Sequence, residues 1–287
     1  MKVTVELVEK EAQCEGGYAL RYAFRLIDSS IVEIGVFEHH HQIHLCVSTQ
    51  VGCPIGCQHC ATTYAEIPYL RSLSQSEMAG MISYVLAEIR TSGEKVLSFS
   101  GHGEPFLNWE NVLSVKNTFY QSFDRFYVTT IGDRKILRAD DMKPDITFYL
   151  SLHGSTDAER SYLIKNATHF STISELFAFA HSYSDRGGKI VLNYMLHRGN
   201  SSRPSLNRLI ELMEQANHNV SLRFTDYNQI NQQTGIIGLS KAETEQVLRY
   251  IEANRSPGSL WQYRYSHLEG NDTHIACGQL RARIIRT

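Results

Sequence analysis

Strand-like and helix-like segments alternate along most of this chain, and that alternation limits the folds it can adopt. Short apolar runs rich in β-branched and aromatic residues are separated by longer segments with apolar residues at helical spacing. Such alternation is typical of βα units around a parallel sheet buried on both faces. The predicted strands are 43–47, 95–100, 125–130, 145–153, 189–196 and 219–224, and the predicted helices include 109–123, 172–184, 205–216 and 242–253.

The first 48 residues differ from the rest because their apolar stretches have no helical pattern between them. These stretches are 3–8, 18–26, 31–37 and 43–47. We therefore predict a small N-terminal β extension over residues 1–48, whose last strand enters an α/β core over residues 49–287. Counting that strand, the core has six βα repeats, which predicts a partial (β/α)6 barrel. Chemistry in such folds collects at the C-terminal ends of the strands.

Cysteine usage and charge indicate the compartment and the partners. Six cysteines, three of them within eight residues, favour metal binding over a disulfide framework, and the first residues show no signal peptide. We therefore expect a cytoplasmic protein with no membrane segment. A net charge of −2 gives no global argument for nucleic acid, so phosphate contacts must be local. The local candidates are His39, His40, His41, Arg281, Arg283 and Arg286.

The most specific chemical motif is a cysteine loop that follows a predicted strand. Cys53, Cys57 and Cys60 are separated by three and two residues. Three thiolates bind three irons of a four-iron four-sulfur cluster and leave one iron open. That iron can chelate S-adenosylmethionine (SAM) and reduce its sulfonium, which releases a 5′-deoxyadenosyl radical. The alternative is a zinc site, in which His59 or His102 would supply the fourth ligand.

The surroundings of this loop are more specific than the loop itself. Residues 45–53, Leu-Cys-Val-Ser-Thr-Gln-Val-Gly-Cys, resemble a Cys-Val-Ser-Ser-Gln-x-Gly-Cys stretch of the RlmN/Cfr family. Members of that family are radical SAM methyltransferases that methylate a ribosomal-RNA adenosine at carbon 2 or carbon 8. The resemblance runs from about residue 31 to the C-terminus and implies a radical SAM core with an iron–sulfur cluster and SAM as cofactors.

Further motifs at the ends of predicted strands match SAM-binding positions of the family. Residues 103–108, Gly-Glu-Pro-Phe-Leu-Asn, resemble the family segment whose Gly-Glu pair holds the amino end of SAM, and a carboxylate at such a turn suits an ammonium group. Residues 227–231 resemble a Tyr-Asn-Pro-Ile-Asn segment, although two family prolines are missing near Asp226 and Gln229. The implied SAM-binding residues are Gly103, Glu104, Thr129, Ser151, Leu152, His153 and Asn228.

The resemblance also assigns three residues to catalysis. Cys277, in Ala-Cys-Gly-Gln-Leu, matches the cysteine that one SAM methylates and whose methyl group becomes a carbon radical that adds to adenine. Cys46 matches the cysteine that attacks Cys277 and releases the product through a transient disulfide. Glu33 falls where the family has its proton-abstracting glutamate. From the residues alone, Cys46 would be a core residue and Glu33 a solvated one, and Cys14 is a structural thiol without counterpart.

The function implied by this resemblance is methylation of carbon 2 of an RNA adenosine, in rRNA or tRNA, from unpaired or flipped RNA. An electron donor such as flavodoxin or ferredoxin is implied as a partner. Family members usually carry a helical N-terminal domain, and with only 32 residues before Glu33 we expect that domain to be absent here. The alternative is the same chemistry on carbon 8 or on a non-ribosomal or non-RNA acceptor, the last of which that difference and the net charge of −2 motivate. A third hypothesis is a zinc-bound RNA-binding module.

Overall fold

The structure, a computed structural model, describes residues 6–13, 19–39, 42–64, 68–89, 93–137, 142–165, 167–216, 219–227 and 234–266. These residues form two compact units. The first lies within residues 6–56 and 60–129, and the second within residues 57–59 and 130–266. None of the helices in these ranges combines the length and apolar character needed to cross a bilayer.

The first unit continues an antiparallel sheet into parallel strands. Its main sheet has the order β1-β2-β3-β4-β7-β8, in which β1 to β4 pair antiparallel and β4, β7 and β8 pair parallel. A short β5-β6 ladder completes the unit. The strands are Glu6–Gln13 (β1), Ala19–Arg25 (β2), Ile31–His39 (β3), Gln42–Val47 (β4), Gln50–Val51 (β5), Arg71–Ser72 (β6), Glu94–Phe99 (β7) and Arg125–Thr130 (β8). The helices are Ala61–Tyr64 (α1), Gln75–Glu88 (α2), a 3-10 turn at Pro105–Asn108 and Trp109–Thr118 (α3).

Helix α2 begins at a capping box, the pattern Ser74-x-x-Glu77 that the sequence itself displays. The Glu77 N–H donates to the Ser74 hydroxyl over 3.3 Å, and the Ser74 N–H donates to the Glu77 carboxylate over 2.9 Å. Two N–H groups at the helix start are thereby satisfied, which is worth about 1 kcal/mol. The helix then buries its apolar face, formed by Met78, Met81, Ile82 and Val85.

The second unit contains a fully parallel sheet in the order β9-β10-β11-β12. Its strands are Thr147–Ser151 (β9), Lys189–Leu196 (β10), Val220–Asp226 (β11) and Gln262–Ser266 (β12). Its helices are Arg134–Leu137 (α4), Asp157–Leu163 (α5), Ala167–Phe170 (α6), Ile173–Asp185 (α7), Arg203–Glu214 (α8) and Lys241–Asn254 (α9). Strand β10 is buried along almost its whole length, as expected for a strand covered on both faces.

The predicted α/β class with a parallel sheet is confirmed, and all six predicted core strands are present as β4 and β7 to β11. Strand β9 is shorter than the predicted 145–153, because the chain leaves the strand at Ser151 and His153 adopts φ +52°. Strand β12 was not predicted, since its residues are mostly polar and only partly buried. The predicted division at residue 48 stays a prediction.

Candidate active site

The three cysteines of the loop are partly buried and form no disulfide. Burial raises the pKa of Cys53, and the net result of all causes is a pKa of about 12. The charges of Cys60 and Glu104 also raise this pKa, whereas a backbone hydrogen bond at Ile55 lowers it. A thiolate at Cys53 therefore needs a nearby cation, which a bound metal supplies. The loop thus fits a cationic metal group held by thiolates.

The choice between zinc and a cluster depends on the remaining donors. Within the described ranges, no group of three or more histidine, cysteine or acidic side chains is spaced to hold a single metal ion. The two imidazoles considered as a fourth zinc ligand have other neighbours. The ring of His59 lies edge-on to that of His153 at 5.1 Å, and His102 Nε2 lies 3.7 Å from Glu33 Oε2. Three thiolates match a four-iron cluster with one open iron better than a zinc site.

In the first unit, the loops that follow β4 and β7 are joined by hydrogen bonds. The Thr49 N–H donates to the His102 carbonyl over 2.8 Å, and the Glu104 N–H donates to Gln50 Oε1 over 2.9 Å. The Asn108 side-chain amide donates to the Thr49 carbonyl, also over 2.8 Å. The carboxyl ends of these two parallel strands therefore form one hydrogen-bonded platform. This explains physically why the 48–50 and 101–108 segments both carry polar motif residues.

Glu104 and its neighbour Gly103 lie on this platform. The Glu104 side chain is only 4% exposed, and its Oε1 accepts a hydrogen bond of 3.0 Å from the Phe106 N–H. Gly103 has φ +100°, and a Cβ there would lie 2.6 Å from Gln50 Cβ, so a glycine is required. The negative charge of Glu104 is one of the causes that raise the pKa of Cys53. Thr129 is partly buried near the end of β8.

The register of the first unit brings Glu33 and Cys46 to the same face of the sheet. Cys46 on β4 lies opposite Gly35 on β3, and Glu33 is two residues from Gly35 on that strand. Directly opposite residues of an antiparallel pair point to one face, so Glu33 and Cys46 are diagonal neighbours. The side chain of Glu33 is buried, not solvated. The sequence prediction had named both residues but not this juxtaposition.

Two basic side chains that the sequence prediction did not assign to catalysis approach the Glu33 carboxylate. Arg21 Nη1 and His102 Nε2 each lie 3.7 Å from Glu33 Oε2. All three side chains are almost fully buried. The sequence signal for Arg21 is a charged residue inside an otherwise apolar strand, in Leu-Arg-Tyr-Ala-Phe.

In the second unit, the Ser-Leu-His segment leaves β9 in a turn held by the neighbouring strand. The N–H groups of Leu152 and His153 both donate to the Asn193 carbonyl, each over 3.0 Å. The Ser151 carbonyl accepts a hydrogen bond of 3.1 Å from Arg160 Nε. The three predicted SAM-binding residues of this segment are therefore positioned mainly through their backbone.

His153 is held as a neutral imidazole. Burial lowers its pKa well below the ordinary range, and the charges of His59, Arg160, His197 and Arg223 lower it further. Its Nδ1 accepts a hydrogen bond of 3.1 Å from the Met195 N–H, which assigns the remaining ring proton to Nε2. His153 can therefore donate a hydrogen bond to a bound ligand without carrying charge.

Two residues that the sequence motifs do not indicate hold this turn. Fully buried Asn200 donates to the carbonyls of His153, over 3.0 Å, and Met195, over 2.8 Å. Fully buried Arg160 donates to the Ser171 carbonyl over 2.6 Å and the Ile131 carbonyl over 2.5 Å. Neither residue has a local sequence signal, because one lies in a polar loop and the other in the first turns of a helix.

Several predicted residues lie outside the described residues. Among the predicted catalytic and SAM-binding residues these are Cys277 and Asn228. The others are Cys14, His40, His41, Arg281, Arg283 and Arg286.

Comparison with known proteins places this site in context. No model of a protein family matches the chain. It is 28% identical over 289 residues to a probable dual-specificity RNA methyltransferase RlmN of Thermotoga neapolitana, covering 97% of this chain and 80% of the relative. It is 29% identical to a protein of the same description from Clostridium acetobutylicum, with the same coverage of both chains.

A solved structure extends the comparison to the fold. The crystal structure of a radical SAM methyltransferase from Sphaerobacter thermophilus superimposes with a TM-score of 0.81 at 25% identity, covering 97% of this chain and 81% of that chain. The resemblance to the RlmN/Cfr family is thereby confirmed, and so is the prediction of a radical SAM methyltransferase.

Proposed function

We propose that this chain, a radical SAM methyltransferase that resembles the RlmN/Cfr family, methylates carbon 2 of an RNA adenosine through a methylated Cys277. The observation that carries the proposal is the register that puts Glu33 and Cys46 on one face of the sheet. These are the two residues that the route requires to resolve a covalent intermediate. RNA as the acceptor is supported by the relatives, which are described as RNA methyltransferases.

The cofactor would be held by the cysteine loop and by the ends of the strands. In this proposal Cys53, Cys57 and Cys60 bind a four-iron four-sulfur cluster. The cluster and SAM, when bound, supply a methyl group and a 5′-deoxyadenosyl radical. Glu104 contributes a buried carboxylate for the SAM ammonium group. The other proposed SAM contacts are Gly103, Thr129, Ser151, Leu152, His153 and Asn228.

The remaining steps belong to residues of the chain. An aromatic amidine carbon is no nucleophile, so Cys277 first carries the methyl group and the problem is divided into feasible steps. After the methyl carbon is joined to the ring, the Glu33 carboxylate accepts the ring proton. The unpaired electron left on the adduct then passes to an oxidised one-electron carrier of the flavodoxin or ferredoxin class, which restores the aromatic ring. The Cys46 thiolate then attacks the Cys277 sulfur; a disulfide forms, the sulfur–carbon bond breaks, and its electron pair stays on the carbon, which takes up a proton.

This proposal also assigns roles to the larger parts of the chain and to its partners. Residues 1–48 form an extension that contributes Glu33 and Cys46, and residues 49–287 form the radical SAM core. The acceptor base is presented from unpaired or flipped RNA, since ring carbons are inaccessible in a duplex. A flavodoxin or ferredoxin is the proposed electron donor. A reducing cytosol is the proposed location, supported by the absence of a disulfide at Cys46 and at the cysteines of the loop.

Substitution of Cys277 tests the proposal most directly. Reconstituted protein is incubated with methyl-labelled SAM, a reductant and RNA, and the label is followed by mass spectrometry of the chain and of digested RNA. We expect label on Cys277 and on carbon 2 of adenosine for the native chain, and neither for Cys277→Ala. Cys14→Ala, a cysteine outside the scheme, is the control and is expected to retain both.

The other outcomes discriminate between the alternatives. Label on carbon 8 would keep the route and change the position. Label in material that resists nuclease would replace RNA by another acceptor. Methyl transfer to RNA that survives Cys277→Ala would contradict the methyl-cysteine route.

A further inference from the structure

The Glu33 carboxylate is buried, and its basic neighbours can stabilise its negative charge. Its side chain is 1% exposed, and an anion in such a place is stable only beside a cation. Two basic groups approach one oxygen, because Arg21 Nη1 and His102 Nε2 each lie 3.7 Å from Oε2. A base that accepts a proton must be an anion and must be aimed at the proton. Arg21 and His102 can meet both requirements at Glu33 Oε2, because they can stabilise its charge and orient it.

The strand register places Arg21 beside Glu33, and the space above Gly35 accommodates the Arg21 side chain. Arg21 on β2 lies opposite Gly35 on β3, which makes Arg21 and Glu33 diagonal neighbours on one face. A Cβ on Gly35 would lie 2.8 Å from Arg21 Nη1 and 2.8 Å from Phe37 Cε2. The absence of a side chain at Gly35 therefore makes room for the guanidinium, whose Cζ lies 5.0 Å from the centre of the Phe37 ring.

Cys46 lies on the same face of the sheet as Arg21 and Glu33. Gly35 pairs with Arg21 on one side and with Cys46 on the other. Arg21, Glu33 and Cys46 thus share one sheet face, and the guanidinium lies on the face that carries both residues proposed to resolve the adduct.

His102 is held by the backbone from the other direction. Its N–H donates to the Ser48 hydroxyl over 3.2 Å, and its carbonyl accepts the Thr49 N–H over 2.8 Å. The Ser48 hydroxyl in turn donates to the Glu33 carbonyl over 2.7 Å. One hydroxyl therefore links the backbones of His102 and Glu33 and holds the two segments next to each other.

We propose that Arg21 and His102 are positioning residues that keep the Glu33 carboxylate an oriented anion for proton abstraction; this inference rests on the proposed function. In the step concerned, the bond between the ring carbon and its hydrogen breaks and the proton passes to a Glu33 oxygen. The electron pair of that bond stays on the adduct, and no electron leaves it in this step. Arg21 supplies the permanent charge, and His102 orients the oxygen.

This inference is tested by separating the steps before and after the adduct. Methylation of Cys277 does not require Glu33, whereas resolution of the adduct does. We therefore compare Arg21→Met and His102→Leu with the native chain in three measurements: methyl groups on Cys277 by mass spectrometry, RNA joined to the chain on denaturing gels, and free methylated RNA. Melting temperature and iron content monitor folding.

We expect Cys277 methylation within about twofold of the native chain, accumulation of the RNA adduct, and roughly 10- to 100-fold less free methylated RNA, since general-base catalysis contributes about 10²–10⁴-fold. Arg21→Met should have the larger effect because it removes the charge. The conservative variants Arg21→Lys and His102→Gln should recover part of the release, and they keep the test decisive if the larger changes prevent folding. Arg25→Met is the matched control, since Arg25 lies on the same strand in a surface ion pair, 3.9 Å from Glu6.

The outcomes distinguish the two levels of the argument. If the Arg21 and His102 variants lower Cys277 methylation and free product equally, or release product without adduct, the positioning role is wrong while the proposed function stands. If Glu33→Gln releases methylated RNA at the native rate, the role of Glu33 itself is wrong. A native chain that methylates no RNA would overturn the proposed function before either variant is tested.

Discussion

The two compact units differ in the charge of the polar side chains that they bury. The first unit buries carboxylates at Glu33 and Glu104, the former beside Arg21 and His102. The second unit keeps the imidazoles of His153 and His59 neutral, since burial lowers the pKa of His153 well below the ordinary range and that of His59 to about 4. The first unit is thus suited to reactions that move charge and protons. The second is suited to holding a ligand by hydrogen bonds.

The same contrast extends to how each unit is stabilised. The loops of the first unit are joined by side-chain amides, as when Asn108 donates to the Thr49 and Leu73 carbonyls, each over 2.8 Å. In the second unit a single buried cation, Arg160, donates to three carbonyls. A change of one residue should therefore have a larger structural effect in the second unit and a larger chemical effect in the first.

The largest effect is expected from loss of a proposed cluster ligand in the first unit. Cys53→Ala should abolish cluster binding and reduce SAM cleavage to background, because three thiolates are the minimum for a cluster with one open iron. Iron and sulfide per chain after anaerobic reconstitution, and 5′-deoxyadenosine formed after reduction, measure this. Cys46→Ser is the control and should bind the cluster normally. Native SAM cleavage by Cys53→Ala would contradict the proposed chemical role of the first unit.

The next effect tests the buried cation of the second unit. Arg160→Met keeps most of the volume but leaves the Ser151, Ser171 and Ile131 carbonyls without this donor. We expect the free energy of unfolding to fall by about 3–5 kcal/mol, measured by urea denaturation. Arg208→Met is the control: that arginine is 42% exposed in an ion pair with Glu159 and should cost less than about 1 kcal/mol. Equal losses would mean that Arg160 has no special structural role.

A smaller loss is expected from the amide that joins the loops of the first unit. Asn108→Ala removes donors to the Thr49 and Leu73 carbonyls and should lower the free energy of unfolding by about 2 kcal/mol. Exposed Asn117 on helix α3 is the matched control, and Asn117→Ala should change stability by less than about 0.5 kcal/mol. If Asn108→Ala is also silent, the hydrogen bonds between the two loops are dispensable.

The smallest effect concerns the neutral imidazoles and depends on pH. Burial lowers the pKa of His197, partly offset by Glu159. Below about pH 6.5 the unfolded chain then binds more protons than the folded one, so stability is complete above that pH and is lost as the pH falls toward the folded pKa. His197→Gln should flatten this dependence by up to about 1.4 kcal/mol per pH unit, measured as urea midpoints between pH 7.5 and 5.5. An unchanged slope would show that folding does not lower the pKa of His197.

Much of the fold and part of the site followed from local sequence patterns. The capping box at Ser74, the buried run of β10 and the spacing of the three cysteines each depend on residues a few positions apart. Strand β12 did not follow, because a partly exposed polar strand lacks the apolar signal that prediction uses. Arg160 was equally hidden, since nothing near it in sequence distinguishes a buried arginine from a solvated one.

The sequence by itself indicated the cofactor class, because three thiols in one loop and the motifs around them lie close together along the chain and can be compared directly with those of a known family. Only the tertiary structure decided which groups lie beside Glu33. Arg21 and His102 are 81 residues apart, by the difference 102 − 21, and reach one carboxylate oxygen through strand register and the Ser48 hydrogen bonds. Register is set by packing of whole strands, so a local pattern cannot specify which distant side chains meet.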